Sequence, residues 1–189
     1  AVYDTPAALC GAMVRSPYLD NRISCAILLQ ALAGLTDCPN DLYFVFTVQE
    51  EVGTRGSKTA AWSIAPDYGM AVDVTDVDDT PGTERGGTVQ LGRGAAVKIM
   101  DSSVICHPAV VEKLEEIAGA EEIPVQRDIL RARGTDAGSI HITRSGVRTG
   151  GISVPCRYVH APTEMVHLGD AEACVRLVQA FAKAQLESR

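Results

Sequence analysis

The feature that most constrains the fold is an apolar run, residues 42–48, followed almost at once by two adjacent glutamates, Glu50 and Glu51. The run is short, rich in β-branched and aromatic residues, and nearly free of polar side chains, which is typical of a strand buried on both faces. Two like charges at the end of such a strand lose hydration and raise each other's proton affinity. The pattern predicts that a cation or a transferred proton offsets this cost, although the pair alone is also consistent with a solvated turn.

The rest of the chain alternates between helical and strand-like patterns. Apolar residues at helical spacing predict helices over residues 20–34, 57–63, 108–118, 135–142 and 169–186. Apolar runs predict strands over residues 42–48, 68–74, 124–130 and 147–154, and a further strand-like run after Gly94 within residues 89–99. Residues 76–87 are predicted to form a loop. This alternation predicts an α/β fold in which helices cover the faces of one sheet.

Composition narrows the classes of partner. The chain has 189 residues, enough for one sizeable core, and a formal net charge of -7. The acidic balance, without any basic run, argues against nucleic acid or a membrane surface as the partner. No apolar stretch is as long as a membrane span, so no membrane partner is expected.

The cysteines and the first residues favour a cytoplasmic protein with reduced thiols. The start of the chain has neither the basic nor the apolar region of a signal peptide, and it lacks Met, so the numbering is expected to begin after the natural start. No CxxC pair occurs, which argues against a structural zinc site or a disulfide framework. The thiols are expected to be mostly buried; they are Cys10, Cys25, Cys38, Cys106, Cys156 and Cys174.

Four residues at the ends or edges of apolar elements carry side chains that bind divalent ions: Asp20, Glu51, Asp73 and His160. Ligands collect at the carboxyl ends of strands in open α/β sheets, so the sheet is expected to bring the acids together. Carboxylates and an imidazole, without a thiolate, suit zinc, cobalt or manganese. Glu50 is the preferred general base, because neighbouring side chains on an extended segment point to opposite sides, although spacing alone does not choose between the two glutamates.

Each of these residues also has a structural interpretation. Asp20 precedes a helix and suits the N-cap position, which on its own is the simpler explanation. Asp73 could end a strand in a turn, and His160 could be a hydrogen-bonded loop histidine. The other histidines are predicted to lie at a helix start, on a helix face and on the surface, in the order His107, His141 and His167.

Five short segments occur in a set order along the chain: LDNR at 19–22, TVQEEVG at 47–53, VDVT at 72–75, GTDA at 134–137 and YVHAPTE at 158–164. In this order they resemble the tetrahedral metallo-aminopeptidases, the group of glutamyl aminopeptidase, deblocking aminopeptidase and the cellulase M proteins. Any one segment alone is weak, but the five together are specific. The resemblance runs from about Asp4 to the last helix.

The resemblance implies a three-layer α/β/α sandwich with a mostly parallel central sheet and a dinuclear, zinc- or cobalt-dependent aminopeptidase, with manganese as a further possibility. Asp20 would bridge the two divalent ions, Glu50 would be the general base, and the remaining metal ligands would be Glu51, Asp73 and His160. Family members commonly form dodecamers built from dimers. Peptide substrates and a homo-oligomer, from dimer to dodecamer, are therefore expected.

Three further residues are carried over from the resemblance with less weight, as part of segments near the active site. They are Arg93, which could equally be an ordinary surface arginine, and the adjacent pair Thr135 and Asp136. All three are expected to contribute to substrate binding.

The chain also departs from the family pattern. The family has a His-x-Asp segment upstream of an inserted β dimerisation domain, and its histidine is a metal ligand, whereas this chain has no histidine before His107. One ion is therefore expected to lack a ligand. We interpret residues 1–18 as a remnant of the inserted domain and its linker, and residues 19–189 as a catalytic domain incomplete at its N-terminal side. A natural short homologue is the alternative.

Two other functions fit parts of the pattern. A glycoside hydrolase of the endoglucanase type would need two carboxyl groups about 5–9.5 Å apart around a sugar, for which Glu50 and Glu51 are poorly placed. It would also leave Asp73 and His160 unexplained. A truncated, non-catalytic homologue that only assembles or binds peptides would be consistent with the missing histidine.

Overall fold

A seven-stranded mixed sheet forms the centre of the computed structural model, which describes residues 5–82 and 88–187. Its strands are β1 (Ala7–Ala8), β2 (Met13–Ser16), β3 (Tyr68–Asp76), β4 (Ala95–Met100), β5 (Val125–Ile129), β6 (Arg148–Arg157) and β7 (Glu164–His167). The order is β1-β2-β7-β6-β4-β5, and β3 pairs with β6. The two longest ladders, β3–β6 and β4–β5, are parallel, whereas the other four pairings are antiparallel.

Helices cover both faces of this sheet. They are α1 (Leu19–Ala33), α2 (Arg55–Ile64), α3 (Pro108–Ala120), α4 (Ala137–Ile140) and α5 (Leu168–Lys183). Helix α5 packs against α1, α3 and the central strands, while α4 contacts α2, β3 and β6. Strand β3 shows the alternation between the two layers, because Val72 and Val74 join the main core and Ala71 joins a second cluster with Ala137 of α4. The predicted α/β fold, with helices on both faces of a central sheet, is confirmed.

One strand prediction is wrong. Residues 42–48, interpreted as a strand buried on both faces, form no strand, and Tyr43 and Val48 are 66% and 68% exposed. Only Phe44 of this run packs against the main core. A strand needs a neighbouring backbone to satisfy its N–H and C=O groups, and none of the described strands pairs with this segment. An apolar composition alone therefore does not make the segment a strand.

The structure also adds elements and moves several of the predicted boundaries. Strands β1, β2 and β7 had no clear sequence signal, and β2 pairs with β7, so residues 7–16 belong to the same sheet as the rest of the chain. Asp73 lies inside β3 rather than at its end. Helix α5 begins at Leu168, one residue earlier than predicted, and its N-cap is His167, which accepts a hydrogen bond from the Gly169 N–H.

The core also contains buried charged and sulfur-containing groups. Lys98 and Asp128 form an ion pair with an Nζ–Oδ2 distance of 2.6 Å, and their side chains are only 1% and 2% exposed. All six cysteines are free: three are buried, Cys38 is half-buried, and Cys10 and Cys25 are exposed. In the described ranges, none of the helices has the length and apolar character needed to span a bilayer.

Candidate metal centre and active site

The five residues predicted to form the site line one cavity of about 400 Å³. Asp20 lies at the start of α1, Glu50 and Glu51 lie in the turn before α2, Asp73 lies on β3, and His160 lies in the turn between β6 and β7. The cavity thus opens beside the carboxyl end of β3, as expected for ligand sites in α/β sheets. Segments far apart in sequence meet here because β3 and β6 are neighbours in the sheet.

Three of these side chains are close enough to share one ion. One ligand atom from each of Asp20, Glu51 and His160 lies within 4.8 Å of the other two. The His160 Nε2 atom is 3.0 Å from Asp20 Oδ2 and 3.2 Å from Glu51 Oε2. Two carboxylate oxygens and an imidazole nitrogen form a donor set that suits zinc and similar divalent ions.

Burial and repulsion from neighbouring acids make Asp20, Glu50 and Asp73 hard to ionise. Burial first, then the charges of Glu51 and Glu164, raise the pKa of Asp20 to about 6. Burial, followed by repulsion from Asp136 and Glu51, raises the pKa of Glu50 to about 7. Burial also raises the pKa of Asp73 well above its ordinary value, although its carboxylate accepts a hydrogen bond from the Val74 N–H. A bound cation would stabilise the ionised forms, since its charge would be the largest local field.

Asp136 anchors the turn that carries the two glutamates. Its Oδ2 accepts a hydrogen bond from the Thr47 hydroxyl and its Oδ1 accepts one from the Ser57 hydroxyl, each at 2.6 Å. These donors flank the turn on both sides. Inside it, the N–H groups of residues 53 and 54 donate to the carbonyl of Glu50 at 2.9 Å. The turn is therefore closed by its own backbone and fixed to the rest of the fold by one carboxylate.

We expect Asp136→Ala to loosen this turn, because hydrogen bonds to a charged group are worth about 1.5–3 kcal/mol and two are lost. Amide hydrogen exchange measured by mass spectrometry should become at least about tenfold faster over residues 49–56, with little change in the central strands. Asp67→Ala is the matched control, since Asp67 is exposed. Unchanged exchange over residues 49–56 in the Asp136 variant would contradict the anchoring role.

Thr135, Asp136 and Arg93, which the resemblance suggested for substrate binding, lie in different places relative to the cavity. Thr135 is buried, lines the cavity, and donates its hydroxyl proton to Asp101 Oδ2 at 3.0 Å. Asp136 does not line the cavity and serves instead as the anchor of the glutamate turn. Arg93 is exposed and does not line the cavity, so the structure does not bring it to the site. Its turn is held by Asp170, which accepts hydrogen bonds from the N–H groups on either side of Arg93.

The cavity wall also contains residues that the sequence patterns did not indicate. Arg133 is the clearest case: its Nε atom lies 3.3 Å from Asp76 Oδ2, and its Nη1 atom lies 3.5 Å from His160 Nδ1. Burial raises the pKa of Asp76, and the Arg133 charge partly opposes that shift. Arg133 stands one residue before the GTDA segment, and this neighbourhood is the only sequence signal that points to it. Hydroxyl groups complete the wall at Thr54, Ser103 and Ser139.

The remaining histidines have structural positions outside the cavity wall. His107 is the N-cap residue of α3, which confirms its predicted place at a helix start. His141 follows α4 directly, and its Nδ1 atom lies 3.1 Å from the Ala137 carbonyl. His167 is partly buried and is the N-cap residue of α5.

Sequence comparison finds relatives that are described as aminopeptidases. The model of the M42 glutamyl aminopeptidase family matches residues 1–177. A relative described as a putative aminopeptidase of Acetivibrio thermocellus is 51% identical over 172 residues, which are 91% of this chain and 52% of that protein. The chain thus spans about half the length of the curated relatives it matches.

Solved structures that are similar to this chain are also described as aminopeptidases or peptidases. An aminopeptidase from the archaeon Desulfurococcus kamchatkensis superimposes with a TM-score of 0.93 at 39% identity, covering 95% of this chain and 51% of that one. The TET1 peptidase of Pyrococcus horikoshii, described as assembling into a tetrahedron or a large octahedral shell, gives a TM-score of 0.84 at 32% identity and covers 96% of this chain and 53% of that one. The sheet and its flanking helices therefore match the corresponding half of these proteins.

Proposed function

Because the chain belongs to the M42 glutamyl aminopeptidase family, we propose that it is the catalytic part of a metal-dependent aminopeptidase, which removes the first residue of peptides. The observation that carries the proposal is the cluster of Asp20, Glu51 and His160 beside Glu50 in one cavity. The glycoside hydrolase alternative is not favoured, because the family and the named relatives are aminopeptidases.

The donor set fits a divalent ion. Asp20, Glu51 and His160 would supply three ligands to such an ion. Asp73 lines the same cavity, and Asp20 is close enough to raise its pKa, so these two acids would hold a second ion between them. Zinc and cobalt suit these ligands best, and manganese is the third choice. When bound, such ions polarise a carbonyl group and lower the pKa of water.

Glu50 is the general base in this proposal. It lines the cavity but does not belong to the three-residue cluster, so its carboxylate is free to accept a proton from the attacking water. In the metal-free protein, burial first and then repulsion from Asp136 and Glu51 raise its pKa to about 7, and bound cations would lower it from there. The same carboxyl group would protonate the amine that leaves. Asp136 keeps the turn, and thus this carboxyl group, in place.

The acidic lining of the cavity also explains why cleavage would begin at a free N-terminus. Asp20, Glu50, Glu51, Asp73 and Asp76 all contribute to the wall. A free α-amine would bind one of the ions or a nearby carboxylate, which a blocked N-terminus would not do. This arrangement favours exopeptidase activity over cleavage in the middle of a chain.

The proposal extends to assembly and location. The chain resembles the Pyrococcus horikoshii TET1 peptidase, which forms closed shells, so we propose that the protein is a homo-oligomer between a dimer and a dodecamer. The cytoplasmic location is likewise a proposal, supported by six free cysteines. The division between residues 1–18 and 19–189 stays a prediction.

The test combines metal analysis with a peptide assay on the full chain. We expect bound zinc or cobalt, release of the first residue from a peptide with a free N-terminus, and loss of release after chelation. The same peptide with an acetylated N-terminus is the control substrate, and it should not be cleaved. A metal-free protein without turnover would favour the non-catalytic alternative, and hydrolysis of a cellulose derivative that survives chelation would favour the glycosidase.

Metal binding should weaken as the pH falls. In the metal-free protein the raised pKa of Asp20 means that its favourable contribution to stability is present below its ordinary pKa of 3.8 and is lost as the pH rises through about 6. A metal ligand must be deprotonated, so protons and the ion compete for the same carboxylate. Between about pH 7.5 and pH 5, affinity for Co²⁺ should fall by about tenfold or more. The increase in Tm on adding Co²⁺ measures this, and an equal increase at both pH values would contradict it.

A further inference from the structure

Glu164 forms hydrogen bonds to the backbones of two of the three clustered residues, Asp20 and His160. It is the first residue of β7, it is 3% exposed, and it does not line the cavity. Its Oε2 accepts a hydrogen bond from the Asp20 N–H at 2.9 Å, and its Oε1 accepts one from the His160 N–H at 3.0 Å. Asp20 and Glu164 are 144 residues apart in sequence. One buried carboxylate therefore joins the backbones of Asp20 and His160.

The buried Glu164 carboxylate accepts both of these hydrogen bonds from backbone N–H groups. A carboxylate that leaves water needs ion pairs or several hydrogen bonds to offset the loss of hydration. Within residues 5–82 and 88–187, no lysine or arginine forms an ion pair with Glu164. Its charge instead adds to the repulsion that raises the pKa of Asp20. Such an arrangement is costly for the metal-free fold, and a cation in the adjacent cluster would offset the cost.

Glu164 lies in a regular strand, whereas the backbones of Asp20 and His160 are irregular. Glu164 lies in a strand paired with β2, where it is opposite Ser16, and β7 also pairs with β6. Asp20 lies where α1 begins, with backbone angles outside the helical range, and His160 has a positive φ of 66° in a turn. Neither residue has a regular hydrogen-bond ladder to fix it there. The hydrogen bonds to Glu164 supply that restraint.

We propose that Glu164 is a positioning residue of the metal centre, setting the separation of the Asp20 and His160 backbones so that both side chains reach one ion. This inference rests on the proposed function, because it requires a metal at the cluster. Partners that orient metal ligands typically contribute 10–100-fold in metal affinity. Here the orientation would act through the main chain rather than through the imidazole or the ligand carboxylate.

The test uses Glu164→Gln in the full chain, with Co²⁺ as the probe. The glutamine amide keeps one oxygen acceptor but turns the other position into an N–H donor facing an N–H donor, so one restraint is lost. Titration followed by the Co²⁺ absorption spectrum should show about 10–100-fold weaker binding and an altered coordination spectrum. Glu172→Gln makes the same chemical change at an exposed position of α5 and should bind Co²⁺ as the wild type does.

Circular dichroism would show whether Glu164→Gln folds, and a second variant keeps the inference testable if it does not. Glu164→Asp keeps the charge but is one methylene shorter and cannot reach both N–H groups, so at least about tenfold weaker Co²⁺ binding is expected. Wild-type affinity and spectrum in either folded variant would overturn the inference, and so would loss of the fold in both, which would assign Glu164 a purely structural role. If the wild-type chain binds no Co²⁺, the proposed metal site itself fails, and this outcome is separate from the others.

Discussion

Glu50→Gln is expected to lower kcat for release of the first residue by about 10²–10⁴-fold while leaving metal content unchanged, since this is the usual contribution of general acid–base catalysis. Glutamine has nearly the same size as glutamate but neither accepts a proton from water at neutral pH nor returns one. Glu50 lines the cavity outside the cluster of Asp20, Glu51 and His160, so the three ligands should stay in place. KM should change much less than kcat, because substrate binding does not require this proton transfer.

Glu51→Gln is the informative comparison for that experiment. It changes the neighbouring residue in the same way, but Glu51 belongs to the ligand cluster, so metal affinity should fall as well as activity. Metal analysis and steady-state kinetics on both variants separate the two roles. Full activity in Glu50→Gln would remove Glu50 from the role of general base, and loss of metal from this variant would make it a ligand instead.

Asp128→Asn should strongly destabilise the fold. Asp128 lies directly opposite Lys98 in the β4–β5 ladder, and both side chains are almost completely buried. Breaking a buried ion pair by removing one partner costs about 3–5 kcal/mol, because the other charge is left without compensation. Such a loss is a large part of the total stability of a domain of this size. The site would fail indirectly, since β4 also pairs with β6.

Denaturant unfolding of four proteins measures this effect: the wild type, Asp128→Asn, Lys98→Met and the double variant. The double variant should lose less stability than the sum of the single losses, because it leaves no unpaired charge in the core. Glu115→Gln is the matched control. It breaks the ion pair with Arg127 on the surface of the same strand, and exposed pairs contribute little. Additive losses in the double variant would show that Lys98 and Asp128 are not coupled.

Local patterns in the sequence predicted most helices and strands correctly. The helix beginning at Pro108 is an example, because its apolar residues repeat at helical spacing and pack on the main core. The ordered motifs also placed Asp20, Glu51 and His160 in one cluster, although their roles as ligands stay predictions. These patterns are local or carried by motifs, so they can be interpreted without knowing which segments meet in space.

The family, the α/β class and the residue types of the site could all be predicted before the fold was known, because side-chain periodicity and short motifs involve residues that are close together in the chain. Three features became visible only in the folded chain: residues 42–48 have no partner among the described strands, Arg93 lies outside the cavity wall, and Glu164 holds the backbones of Asp20 and His160. These features depend on hydrogen-bond partners that are distant in sequence: Asp20, one partner of Glu164, lies 144 residues away from it. Composition shows which groups must be satisfied, but the fold alone shows what satisfies them.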